Sequence, residues 1–142
     1  MLMVSNTSPI LNLALIDKLA LLRARFGEIW VPLAVVEELR IEQDLPGSKA
    51  VLGAREAGWL QVKEVKEQAL VQVLRRDLDQ GEAEAIALAL QVKAEWMLLD
   101  ERDGRRIAKQ FGLGGNGYAG DLTSGKARGQ TIVIAGGHGA IA

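Results

Sequence analysis

The chain has 142 residues with 17 basic and 18 acidic side chains, and it contains no cysteine. This composition excludes a disulfide scaffold, a thiolate metal site and a cysteine nucleophile, and the balanced charge means that any affinity for nucleic acid must come from a local patch. The length predicts a single domain over residues 1–142. Because no apolar run has the length of a membrane span and no signal sequence precedes the first strand, we expect a cytoplasmic protein with no membrane association.

The predicted elements alternate between strands and helices along the chain. Strand patterns cover Leu2–Val4, Glu28–Val31, Trp59–Val65 as an edge strand, Trp96–Leu99 and Thr131–Ile134. Helical spacing covers Ile10–Arg25 with a break at Ile16–Lys18, Pro32 to Leu39 or Arg40, Ala50–Ala57, Gln68–Arg76, Glu82–Lys93, Glu101–Phe111 and Ala119–Arg128. This alternation is typical of an α/β protein with a central parallel sheet and helices on both faces.

Polar residues follow two of the predicted strands. Asn6, Thr7 and Ser8 come after the first strand, where Thr7 or Ser8 could cap a helix, and Asp100 ends the Trp96 strand. The carboxyl ends of adjacent parallel strands meet at one sheet edge, where α/β proteins bind ligands. Asp100 also forms a passable capping box with Asp103. A helix cap and a functional carboxylate are therefore both open interpretations of Asp100.

Two helices carry an acid that is predicted to face inward. Helical geometry places Glu82 toward the apolar side of its helix and Glu84 on the polar side, and it places Glu38 closer to the core than Glu37. Glu82 could alternatively complete a capping box that begins at Asp79, and Glu38 could be an ordinary exposed acid. The functional and the structural interpretations both remain open at these positions.

Three carboxylates from separate elements repel one another unless a cation neutralises them. Oxygen-only ligands suit Mg²⁺ or Mn²⁺, and such an ion activates water for attack on a phosphodiester. Four basic residues follow Asp100 and are candidates for contacting RNA phosphates: Arg102, Arg105, Arg106 and Lys109. The same residues could form a solvated helix face that is balanced by Glu101 and Asp103.

Four stretches together resemble the PIN domain, a metal-dependent ribonuclease fold, and particularly its small stand-alone prokaryotic members. They are Val4–Ile10, Pro32–Leu39, Leu78–Ala89 and Leu98–Arg106. The resemblance implies a three-layer α/β/α sandwich. It also implies an acidic quartet at Asn6, Glu38, Glu82 and Asp100, supported by Thr7, Ser8 and Asp103. Many relatives are toxins that cut RNA, dimerise and are silenced by an antitoxin, so the resemblance implies RNA, an antitoxin protein and a second copy of the chain as partners.

One position departs from the family pattern. Asn6 stands where the family has its first carboxylate. The asparagine keeps a carbonyl oxygen as a ligand, but the expected metal site loses one negative charge. Two functions of different classes therefore remain open. One is a Mg²⁺- or Mn²⁺-dependent ribonuclease, and the other is a non-catalytic PIN-like module that binds RNA or a protein partner.

Overall fold

The computed structural model describes residues 2–40, 43–94, 96–100, 102–103, 106, 118–121 and 130–133. Within these residues the strands are β1 Met3–Ser5, β2 Ile29–Pro32, β3 Leu60–Lys63, β4 Trp96–Asp100, β5 Tyr118–Asp121 and β6 Gln130–Val133. The helices are α1 Thr7–Leu15, α2 Ala20–Phe26, α3 Leu33–Leu39, α4 Ser48–Glu56, α5 Gln68–Leu74 and α6 Gln80–Gln91. The break predicted between the first two helices falls at Asp17, whose φ of 57° no helix interior allows.

The strands form one sheet in the order β3-β2-β1-β4-β6-β5. The first four of these strands are parallel, which confirms the predicted parallel sheet, and β3 lies at the edge as its alternating sequence indicated. Strand β6 then adds antiparallel to β4, and β5 adds antiparallel to β6. The four parallel strands bring their carboxyl ends to one edge, as such sheets do.

The C-terminal part contains one wrong prediction. Residues 119–121 were assigned to the start of a helix, whereas they belong to β5, and residues 122–129 lie outside the described part of the chain. The Ala- and Leu-containing sequence favours a helix locally, but pairing with β6 supplies interstrand hydrogen bonds that override this weak propensity. Of the helix predicted over Glu101–Phe111, only Arg102, Asp103 and Arg106 lie within the described residues, and all three are helical.

Alternate side chains of the central strands pack on opposite faces of the sheet. Met3 and Leu98 lie in one buried cluster with residues of α1 to α4, while Val4, Met97 and Leu99 lie in a second cluster with residues of α5 and α6. Because strand side chains alternate with a period of two, strands that are apolar at every position need cover on both faces. The sheet with its two helical layers is the three-layer α/β/α sandwich that the resemblance implied.

None of the helices in the described part of the chain combines the length and the apolar character that crossing a bilayer requires.

Candidate active site

The carboxyl ends of β1 and β4 lie side by side, as the sequence predicted. Ser5 of β1 pairs with Leu98 of β4, and the backbone N–H of Asn6 donates to the Leu98 carbonyl at 3.1 Å. Asp100 is the last residue of β4, two residues beyond this contact. Asn6 and Asp100 therefore leave neighbouring strands at the same edge of the sheet.

Asn6 stands at the start of α1 without capping the helix through its side chain. It is the N-cap residue of α1, in place of the expected Thr7 or Ser8, yet its side chain makes no capping hydrogen bond. The residue is only 3% exposed, and its Oδ1 atom is buried without a hydrogen-bond partner among the described residues. Buried carbonyl oxygens of this kind are rare because the lost hydration costs about 1–3 kcal/mol. The Asn6 side-chain oxygen is therefore an acceptor that could bind a ligand beside the ends of β1 and β4.

The two hydroxyls after Asn6 have different environments. Thr7 is buried, and its Oγ1 donates to Glu38 Oε2 at 2.9 Å. Ser8 is half-buried in the first turn of α1. The Thr7 hydroxyl thus ties α3 to the start of α1 instead of capping its own helix.

Glu38 lies on α3 and is exposed, as is its neighbour Glu37, so the predicted difference in exposure between these two acids is not observed. Besides the Thr7 contact, the Glu38 carboxylate accepts from the backbone N–H of Gly81 at the start of α6. A Cβ at Gly81 would lie 2.9 Å from Glu38 Cδ, well inside van der Waals contact. Glycine at position 81 is what allows the carboxylate to approach the α6 backbone so closely.

Gly81→Ala is expected to remove this approach without harming the helix. Alanine stabilises a helix by about 0.5–1 kcal/mol relative to glycine, and the displaced atoms are the flexible end of Glu38. A double-mutant cycle with Thr7→Val measures the loss: the two changes should show a coupling energy of about 0.5 kcal/mol in urea unfolding. Additive effects would show that Glu38 keeps its Thr7 contact when alanine is present.

Glu82 lies on α6 and is 4% exposed. The capping-box interpretation is correct, since the Glu82 N–H donates to Asp79 Oδ1 at 2.8 Å and the Asp79 N–H donates to Glu82 Oε1 at 3.2 Å. The second carboxylate oxygen is not used by the cap, and Oε2 accepts from the Arg106 guanidinium. Capping and a site role are therefore compatible at Glu82, because each uses a different oxygen.

Asp100 shows the same combination. Its Oδ1 accepts from the backbone N–H of Asp103 at 2.7 Å, which caps the helical residues that follow β4. The residue is half-buried. The carboxylate carries a charge that this cap does not require, because a neutral amide oxygen would accept the same hydrogen bond.

The acidic groups affect one another electrostatically. Burial raises the pKa of Glu38, Glu82 and Asp103, and the charge of Asp79 raises the pKa of each of them further. The charge of Asp100 also raises the pKa of Asp103. Asp79 is thus a shared neighbour that sequence reasoning had treated only as a cap. These couplings place the acids of α3, α6 and the β4 end in one electrostatic cluster.

The basic residues predicted to contact phosphate differ in their surroundings. Arg106 pairs with Glu82 and lies 3.5 Å from Asp103 Oδ1, so its guanidinium is turned toward the acids. Arg102 is exposed. Arg105 and Lys109 lie outside the described residues, and their predicted phosphate contacts stay predictions.

A model of the PIN domain family matches residues 2–134. The chain belongs to the PIN domain family. Its α/β sandwich is accordingly a PIN-type, nuclease-like fold. A search of the curated proteins and a search of the solved structures each found no match.

One acid of this PIN domain was assigned to the wrong environment. Glu84 was expected on the solvated face of α6, but it is half-buried and its Oε1 accepts from the Ala34 N–H at 3.2 Å. Gln91, on the same face, accepts from the Lys66 N–H at 2.7 Å. The polar face of α6 is therefore docked against backbone of α3 and of the β3–α5 connection, and the charge of Glu84 raises the pKa of Glu38. A helical wheel cannot reveal such backbone partners.

The donor set of this PIN domain has the chemistry that a hard dication requires. The side-chain donors are carboxylate and amide oxygens, and the buried Asn6 Oδ1 is an acceptor that receives no hydrogen bond from the residues that the structure describes. Among the residues that the structure describes, no three carboxylate or imidazole groups stand together in a way that could hold a metal ion. Arg106 supplies the positive charge at Glu82 in this arrangement. Metal ligation by Asn6, Glu38, Glu82 and Asp100 remains a prediction.

The raised pKa of Glu82 gives a testable pH dependence in the PIN domain without metal. Because the folded state binds this proton more tightly than the unfolded chain, ionisation of Glu82 lowers the free energy of unfolding as the pH rises through its folded-state pKa. Glu82→Gln keeps the cap acceptor and cannot ionise. We therefore expect the variant to gain stability over the parent as the pH rises above about 4.5, the ordinary pKa of a glutamate carboxyl, as measured by urea unfolding in EDTA. A stability difference that does not change with pH would contradict this.

Proposed function

We propose that this PIN domain is a Mg²⁺- or Mn²⁺-dependent ribonuclease that hydrolyses RNA phosphodiester bonds. The observation that carries the proposal is the buried Asn6 Oδ1, which has no hydrogen-bond partner within the described part of the chain and lies at the sheet edge where the acids of α3, α6 and β4 are electrostatically coupled. Repulsion among these acids, which Arg106 offsets at Glu82 and Asp103, together with an amide oxygen that has no partner among the described residues, favours a cation ligand. Glu38, Glu82 and Asp100 are the proposed principal ligands, with the Asn6 carbonyl as a neutral fourth.

When bound, the ion would activate water and stabilise the leaving oxygen. The chain's own residues position the donors. Thr7 orients Glu38 by donating to Oε2, and the Asp79 cap fixes Glu82 through its backbone and its Oε1. The Asp103 N–H fixes Oδ1 of Asp100. These hydrogen bonds hold the carboxylates of Glu38, Glu82 and Asp100 in place, and Arg106 contacts Oε2 of Glu82.

The substrate and partners extend the same proposal. Exposed Arg102, together with Arg105 and Lys109, is proposed to contact the RNA backbone, because guanidinium and ammonium groups bind phosphates without reading the base sequence. The toxin role, the antitoxin and the homodimer are proposed from the family resemblance alone.

The test is RNA cleavage by the parent with Mn²⁺, with Mg²⁺ and with EDTA, followed by a matched pair of variants. Glu38→Gln should lower metal-dependent cleavage by about tenfold or more, whereas Glu37→Gln, the exposed neighbour on α3, should leave it unchanged. Cleavage that persists in EDTA, or that is lost equally in both variants, would overturn the proposal.

Two observations favour a second function, a non-catalytic module that binds RNA or a protein. Asn6 lacks the charge of a carboxylate, and Arg106 already neutralises Glu82. This function predicts that RNA is bound but not cut with either metal, and that Asn6→Asp creates cleavage which the parent lacks.

A further inference from the structure

Arg106 occupies the carboxylate oxygen of Glu82 that the helix cap does not use. The Asp79 N–H takes Oε1 of Glu82, and the Arg106 guanidinium takes Oε2. The same guanidinium approaches Asp103 Oδ1 at 3.5 Å. One permanent cation is therefore shared between Glu82 of α6 and Asp103 after β4. Glu82 and Asp100, the last residue of β4, are both among the residues proposed to hold the ion.

The two partners differ in how freely they can move. The Glu82 side chain is 5% exposed and anchored at both its backbone and its Oε1, whereas the Arg106 side chain is 41% exposed. A guanidinium cannot lose its charge in a protein, so the pair can separate only if Arg106 swings away from Glu82. The exposure of Arg106 gives it solvent to move into, while Glu82 stays fixed.

We propose that Arg106 is an internal competitor of the divalent ion: it neutralises Glu82 and Asp103 when no metal is bound, and it must leave Glu82 for the ion to bind. This inference rests on the proposed metal-dependent function. Two cations cannot share one carboxylate oxygen at short range without strong repulsion. Arg106 therefore weakens metal binding, and its displacement by the ion frees a guanidinium beside the site, where it can hold an RNA phosphate.

Calorimetric titration of the full chain with Mn²⁺ tests the competition without an activity assay. Arg106→Gln should bind Mn²⁺ about tenfold more tightly than the parent, since a tenfold change in affinity is ~1.4 kcal/mol, within the range of one charge-assisted contact. Arg55→Gln is the matched control. It removes the same charge from an exposed position on α4, in the layer on the other face of the sheet from Glu82 of α6, and it should leave the affinity unchanged.

Thermal unfolding provides the second measurement. In EDTA, Arg106→Gln should unfold at a lower temperature than the parent, because its acids repel without a counter-cation, and saturating Mn²⁺ should raise the unfolding temperature of the variant more than that of the parent. Arg106→Lys keeps a charge but loses the planar guanidinium, so it should bind Mn²⁺ with intermediate affinity.

The outcomes separate the inference from the function on which it rests. Equal or weaker Mn²⁺ binding by Arg106→Gln, with measurable binding by the parent, would overturn the competition and leave the metal site in place. If neither protein bound Mn²⁺ or Mg²⁺ while both remained folded, the metal-dependent function would fail and the competition with it. A gain of similar size in Arg55→Gln would reduce the effect to net charge and would also overturn the inference.

Discussion

Asp100→Asn is expected to lower metal-dependent RNA cleavage by about 100-fold or more, while the protein stays as stable as the parent. The asparagine oxygen can still accept from the Asp103 N–H, so the cap after β4 is preserved. The only property removed is the negative charge. The substitution therefore separates the two interpretations of Asp100 that the sequence left open, a helix cap and a metal ligand.

Urea unfolding and RNA cleavage should be measured on the same preparation, with Asp77→Asn at an exposed position as the control for charge. If Asp100 acts only as a cap, the variant will cleave RNA as well as the parent. If the variant loses stability to the same extent as activity, the role of Asp100 is structural. Because the Asp100 charge raises the pKa of Asp103, the variant should also have a lower Asp103 pKa.

Asn6→Asp is expected to tighten Mn²⁺ binding by about tenfold or more and to lower the unfolding temperature in EDTA by roughly 5 °C. The position is 3% exposed, and a carboxylate there would be desolvated beside acids that already repel one another. Without metal this charge destabilises the fold, whereas a bound dication neutralises it and gains a full negative ligand.

The exposed Asn12 of α1 supplies the control, since Asn12→Asp adds the same charge to the same helix at a solvated position. That variant should change neither the Mn²⁺ affinity nor the unfolding temperature appreciably. Unchanged Mn²⁺ affinity in Asn6→Asp would show that the orphaned oxygen does not face the ion. Destabilisation in EDTA that excess Mn²⁺ fails to relieve would contradict the same placement.

The sequence was sufficient for the parallel core because its signals are local. Three or four consecutive apolar residues, as in Trp96–Leu99, indicate a strand covered on both faces, and the alternation in the Trp59 strand indicated an edge. The inward position of Glu82 followed from helical periodicity in the same way. Each inference needed only the order of apolar and polar residues within one element.

Contacts between elements were not accessible to that reasoning. Residues 119–121 belong to a strand that pairs with β6, and Glu84 accepts from the backbone of α3. Asn6 stands at the N-cap position of α1, and its Oδ1 has no hydrogen-bond partner among the residues described. Asp79 was recognised as a cap, but its influence on Glu38 depends on how α6 packs against α3. Such contacts depend on packing between segments far apart in the chain, which local propensity does not encode.

The sequence by itself determined the α/β class, the order of strands and helices along the parallel part of the chain, and the polar residues that follow the strands. Short-range periodicity and backbone preferences specify these features. Only the tertiary structure decided which oxygens of those residues are already engaged. In the folded protein one oxygen of Glu82 accepts the helix-cap hydrogen bond and the other contacts Arg106, while Asn6 Oδ1 has no partner among the described residues. The physical reason is that hydrogen bonds and ion pairs form between specific atoms, and only the packed arrangement brings atoms from distant segments within reach of one another.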